Sequence, residues 1–227
     1  EEVLNPIPII IHPVAEGQST PSSVSGTSYL EYLLPALIVL ITLFVGPLLG
    51  STLTMKERKS NAYFRNIISP ISGYFLLFGV YLTSFILMII QIIILLTTAN
   101  LIFKANIFEN FTLILIVLAV IITLFVLFGI AIGYLFNTEE TALLGSVSLS
   151  IVLLILSELV LPIETAPQII SYLISINPFV IGEIILRKLI IFGLGFSSIF
   201  KDLLLLGIYL IVGIVLAAIA MKTSKKE

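Results

Sequence analysis

Five apolar stretches constrain this chain more than any other feature of its sequence. They run over Pro35–Thr54, Ile71 to about Ala99, Phe111–Phe136, Thr141–Leu161 and Leu203–Met221. A helix needs roughly 20 apolar residues to cross a hydrocarbon core of about 30 Å. Only helices and closed barrels satisfy their own backbone there, and a barrel strand would alternate polar and apolar residues, which none of these stretches does. Glu158 is the one charged residue inside the five. Hydrophobic residues make up 59% of the 227 and charged residues 11%, with a mean hydropathy of +1.23. Soluble domains carry about 25% charged residues, so a free soluble globule is excluded, and so is a disordered chain. The fold class that follows is all-α: a polytopic transmembrane helix bundle with five spans in this chain.

Outside the spans the chain divides simply. Residues 1–29 are polar and irregular, broken by Pro6, Pro8, Pro13 and Pro21, and read as an extracellular segment, the remnant of an outer loop or domain. Residues 30–222 form the transmembrane domain and 223–227 a cytoplasmic tail. The region 162–202 is apolar but carries Glu183, Arg187 and Lys188. Each costs roughly 2.5–3.5 kcal/mol at the centre of a spanning helix. Two short helices are therefore expected, at about 166–175 and 178–192, dipping into the membrane from the outer side and returning. Glu183 precedes Arg187 by four residues, so the two can pair on one helix face.

Charge sets the sidedness. Lys56, Arg58, Lys59 and Arg65 lie between the first two spans, and Lys222, Lys225 and Lys226 form the tail, so seven of the eleven basic residues fall on one face. The positive-inside rule makes that face cytoplasmic. Five spans then put the N-terminus of this chain outside and the C-terminus inside, in a multi-pass protein of the cell membrane. A chain opening on Glu1-Glu2, with its N-terminus outside, is expected to lack one upstream span.

Few residues are suited to chemistry. The net charge of −2 gives no electrostatic case for nucleic acid, and the absence of cysteine removes disulfides, thiolate metal sites and cysteine nucleophiles. His12 alone cannot build a histidine metal cluster and reads as a solvated loop residue. No nucleophile, base and orienter stand together, and no G-x-x-x-x-G-K-[ST] loop occurs, so no catalytic residue, cofactor or metal site is expected here. Glu158, one turn before Pro162, reads as an interfacial carboxylate or as part of a translocation path. The segment Met55–Pro70 is more informative. On a helix, Tyr63, Phe64, Ile67 and Ile68 share a face, flanked by Lys56, Glu57, Arg58, Lys59 and Arg65. Such a helix either anchors on anionic lipid or docks a cytosolic partner; its length favours docking. Thr138, before Thr141, is placed to cap the following helix. Gly46-x-x-x-Gly50 and Gly129-x-x-x-Gly133 have the spacing that lets helices approach closely, within one subunit or across a dimer.

The order of these segments resembles the membrane subunit of ABC-2-type exporters. Tyr29-Leu30-Glu31-Tyr32-Leu33-Leu34-Pro35 is similar to the opening of that family's second helix. Glu57-Arg58-Lys59 followed by Ile68-Ser69-Pro70 resembles its cytoplasmic segment, and Leu161-Pro162-Ile163-Glu164, Ala166-Pro167, Asn177-Pro178 and Leu186-Arg187 look like the run after its fifth helix. Asn61-Ala62 stands where the family has Gly-Thr, and Ser157-Glu158 where it has Ser-Gly.

The resemblance implies a permease of six spans in the family, working as a homo- or heterodimer in membrane lipid. A separate cytosolic ABC ATPase, with ATP and Mg on that partner, would dock on Lys56, Glu57, Arg58, Lys59, Tyr63, Phe64 and Arg65. The outer gate would include Glu158, Pro162, Glu164, Pro178, Glu183 and Arg187. Replacing Glu57 and Arg58 with Ala is then expected to uncouple the ATPase. An ion-coupled secondary carrier, or a non-transporting membrane anchor or assembly protein, is the alternative reading of the residues alone.

Overall fold

The computed structural model describes residues 29–60, 73–103, 111–161 and 167–224. Among these every regular element is a helix: α1 (Tyr29–Lys59), α2 (Gly73–Phe103), α3 (Phe111–Leu135), α4 (Glu139–Ile155), α5 (Gln168–Ser175), α6 (Pro178–Ile190) and α7 (Phe196–Ser224). Four of them, α1, α2, α3 and α7, are long and apolar enough to cross a membrane, and α5 with α6 would make a fifth span only as a pair bent by 63°. The chain is thus the helical bundle that its apolar stretches predict.

α3 is apolar on every side and sits at the centre, packed on α1, α2, α4, α6 and α7. Its Ile114, Leu118, Ile121, Ile122 and Phe125 are fully enclosed with Ile38 and Leu43 of α1, Met88 and Ile92 of α2, and Phe179 of α6. α2 and α7 instead turn large apolar residues outward along their whole length, Phe75, Ile86 and Ile94 on one and Phe200, Ile211 and Ile219 on the other. These faces meet lipid tails, a solvent as apolar as themselves.

α1 and α3 run parallel and nearly touch. A Cβ on Gly46 would stand 2.9 Å from the Cβ of Phe125, and one on Gly133 would stand 2.6 Å from the Cβ of Thr54. Gly50 faces the backbone of Val126, Gly129 and Ile130, while Gly129 faces Pro47. Both glycine motifs are therefore spent on one contact inside the subunit.

α4 packs antiparallel against the half of α1 that leads to its basic end. Pro47 cannot donate the helical hydrogen bond to the carbonyl of Leu43, and Ser150 of α4 donates to that carbonyl instead, at 2.8 Å. One turn away, Ser146 bonds Ser51 at 2.8 Å and the Pro47 carbonyl at 3.3 Å. All four side chains are small or cyclic, so the two helices lie close.

The fourth apolar stretch is helical for less of its length than its hydropathy suggests. Expected over Thr141–Leu161, it ends as a helix at Ile155 and continues in turns. The reason lies in α6, which packs on α1, α3 and α7 and begins beside the end of α4. The two short helices expected at about 166–175 and 178–192 are observed at Gln168–Ser175 and Pro178–Ile190.

Candidate coupling and gate sites

The basic cluster ends α1 rather than opening a separate helix. Lys56, Glu57, Arg58 and Lys59 occupy its final turns, with Lys56 and Lys59 exposed and Glu57 and Arg58 half-buried. A polar side chain here is a direct extension of the span. Tyr63, Phe64 and Arg65, with the apolar face they would share with Ile67 and Ile68, lie outside the described residues.

Arg58 turns inward. Its guanidinium donates to the carbonyls of Gly133 and Phe136, both at 2.8 Å, and lies 5.8 Å from the centre of the Tyr134 ring. Those carbonyls belong to the last turn of α3 and the residue just beyond it, where no helical donor remains. A cation there also faces the negative end of the helix dipole. Arg58 thus ties the end of α1 to the end of α3 and to the connection leading into α4. That connection is itself ordered by Thr138, whose hydroxyl accepts from the Thr141 N–H at 3.2 Å, and Glu139 and Glu140 fill the first turn of α4. The sequence indicated the Thr138 cap; it did not indicate that Arg58 is internal.

Two further elements reach the same end. The first turns of α2 contribute Phe75, Leu76 and Gly79 to a cleft of about 400 Å³ shared with Leu53, Lys56 and Glu57. The last turns of α7 carry Lys222, with Ala217 and Ala218 across from Tyr74 and Phe78 of α2. Lys56, Arg58, Lys59 and Lys222 therefore gather at one end of the bundle, whereas Arg187, Lys188 and Lys201 belong to the other.

At that other end the organising residue is Asn177, buried to 4% exposure. Its carboxamide oxygen accepts from the Phe179 N–H at 3.0 Å, which caps α6, and its nitrogen donates to the carbonyls of Leu153 and Leu156 at 2.7 and 2.6 Å. One side chain therefore closes the C-terminus of α4 and opens α6. Pro178 follows in the first helical turn, where its missing N–H has no cost. The Asn-Pro pair was visible in the sequence only as a point of resemblance, although Asn before Pro is itself a signal for a helix start.

Glu183, on the next turns of α6, is 2% exposed and forms an ion pair with Arg187. The pairing that their spacing predicts is present, and it is what permits a carboxylate at this depth. Lys188 bonds Asp202 of α7 at 2.6 Å, and the Tyr209 hydroxyl donates to the Ile176 carbonyl at the α5–α6 elbow. These two links run antiparallel: the elbow lies beside Tyr209 and the far end of α6 beside Asp202. α6 therefore rises from the elbow toward the start of α7. Glu158 is exposed. Pro162 and Glu164 lie outside the described residues. Pro178, Glu183 and Arg187 thus lie along α6, which begins beside the end of α4, and Glu158 follows that end in the chain.

Among the described residues no three His, Cys, Asp or Glu side chains are grouped to hold a metal ion. The polar residues do mechanical work instead: they tie helix ends to one another.

No curated protein and no solved structure matches the chain. A family model does: that of the ABC-2 family transporter proteins, which matches residues 2–219. With nearly the whole length matched and the helices built to span a membrane, the chain belongs to the ABC-2 transporter family, as a multi-pass membrane permease.

Proposed function

We propose that this permease is the membrane half of an ATP-driven exporter, energised by a separate cytosolic ATPase that docks on the basic end of α1 and the segment up to Arg65. The observation that carries the reading is the Arg58 clamp. A push on Lys56–Lys59 cannot be absorbed locally, because Arg58 holds the ends of α1 and α3 together and the glycine contact locks the two helices along their length. α4 follows through its serine bonds to α1, and Asn177 passes any movement of α4 to α6. A docked ATPase that closes on ATP would then move the four helices as a unit and reshape the neighbourhood of Glu158, Glu183 and Arg187, which serves as the outer gate. The positive-inside rule supports a cytoplasmic basic end.

The test is reconstitution of the permease with its ATPase in proteoliposomes. Lys56→Ala with Glu57→Ala should lower permease-stimulated ATP hydrolysis about tenfold, equivalent to ~1.4 kcal/mol of docking, with insertion unchanged. Unaltered stimulation would contradict the assignment. Arg58 is unsuited to this test, despite its place in the basic cluster, because its loss also releases the end of α3.

A second reading, an ion-coupled carrier, draws on the buried Glu183. Its pairing with Arg187 on the same helix leaves it poorly placed to exchange a proton or ion. Transport that continues without ATP and stops when the ion gradient collapses would favour the carrier.

A further inference from the structure

α2 and α7 both pack on α3 but hardly on each other, and a groove of about 340 Å³ is left between them at the basic end of the bundle. Its walls are Leu77 and Phe78 of α2 and Ile214, Ala217 and Ala218 of α7, and its floor includes Leu127 of α3. The lining is almost wholly apolar. Near the floor the Tyr81 hydroxyl donates to Thr123 at 3.0 Å and Thr123 donates to the Ala119 carbonyl at 2.7 Å, so neither proton is left for an occupant. α7 presents alanines where α2 presents large rings, so the groove is narrow on one side and smooth on the other. From Tyr74 to Tyr81 it is about 10 Å long at the helical rise of 1.5 Å per residue. Those dimensions fit part of one extended acyl chain.

The mouth of the groove is charged. Lys222 lies one turn beyond Ala218 on the same face of α7, and it is exposed. Tyr74, in the first turn of α2, lines the same end of the groove with Ala217 and Ala218, at the depth where tyrosines meet headgroups. We infer that the groove between α2 and α7 is a binding site for an anionic phospholipid, with an acyl chain lying against Phe78 and Ala218 and the phosphate paired with Lys222. The occupant is a lipid rather than a second protein helix, because an apolar lining with one cation just beyond it matches the acyl chain and the phosphate of a single anionic lipid. The site is independent of how transport is energised.

The chain contains no tryptophan, so a single Phe78→Trp reports from the groove wall alone. Phe78 is 54% exposed, and the replacement leaves the core untouched. In vesicles of mixed composition, phosphatidylglycerol with brominated chains should quench this residue at about a fivefold lower mole fraction than brominated phosphatidylcholine, the preference expected from one lysine near the surface. Ile90→Trp, exposed on the same helix but away from the groove, should show no preference. Lys222→Ala should erase the preference at position 78, and Ala218→Leu should reduce quenching there by both lipids. Equal quenching by the two lipids, a preference that survives Lys222→Ala, or exclusion of both lipids from position 78 would each overturn the assignment. Lipid analysis after mild detergent extraction reads the same site without a reporter: the unsubstituted chain should retain phosphatidylglycerol above its bulk share, and Lys222→Ala and Ala218→Leu should not.

Discussion

The side chains that matter most here are those that replace a missing backbone partner. Arg58 answers the orphan carbonyls of α3, Ser150 the carbonyl freed by Pro47, and Asn177 the end of α4. In a hydrocarbon medium an unanswered backbone group costs far more than in water, so these residues are strongly constrained. Arg58→Ala should lower stability by about 1.5–3 kcal/mol, the scale of a charged hydrogen bond, in denaturant unfolding from detergent micelles. Arg58→Lys should recover part of that loss, since an ammonium keeps the charge at the end of α3 but loses the guanidinium's contact with the Tyr134 ring. The glycines give a sharper contrast. A Cβ on Gly50 would sit 2.5 Å from the carbonyl oxygen of Val126, whereas one on Gly79 meets nothing within 4 Å. Gly50→Ala should destabilise by about 1–3 kcal/mol through forced separation of two backbones. Gly79→Ala should be neutral or stabilise by up to about 1 kcal/mol through helix propensity alone. Thermal unfolding of the two variants side by side checks both signs.

Between elements, the Pro47–Ser150 pair allows a test with a definite sign. Ser150→Ala leaves the Leu43 carbonyl without a donor and should cost about 1–3 kcal/mol. In a Pro47→Ala background the new N–H at position 47 can bond that carbonyl, so the same substitution should cost clearly less. A double-mutant cycle measures the difference, and additive effects would show that Ser150 has no such role. Asn177→Ala should free the end of α4, raising amide hydrogen exchange over residues 153–161 while leaving that of α3 unchanged. What the sequence could reveal at this scale follows from what hydropathy measures. The long spans were legible because α1, α2, α3 and α7 each hold a long uncharged apolar run. The elbow between α5 and α6 was legible because three charges interrupt an apolar run. The early end of α4 was not, since apolar residues continue to Leu161 around Ser157 and Glu158; Asn177, distant in sequence, takes the carbonyls of Leu153 and Leu156 where the helix stops.

For the molecule as a whole, four of the five expected spans were readable from the chain, the stretch over Thr141–Leu161 giving a helix too short to be one, and both glycine motifs announced a close contact. Their partner was not readable, because small-residue spacing describes a surface and says nothing of what it meets; the contact proves to be α1 on α3 within one subunit. The same holds for Arg58, whose place in a basic cluster suggested an outward role while its guanidinium faces the end of α3. The cargo is unreadable for a related reason: apolar spans are selected by the lipid that surrounds them. The helices α1, α3 and α4 form one tied unit with α6 fastened to its far end, and the proposed function has an ATPase act on its basic end. The most direct test begins from the absence of cysteine in the chain. A Lys59→Cys variant carrying a photoactivatable cross-linker, in membranes of the host cell, should capture an ATPase, and an impermeant thiol reagent should reach Cys-substituted position 59 only from the cytoplasmic side. Labelling from the outer side, or cross-linking that captures no ATPase, would contradict the account.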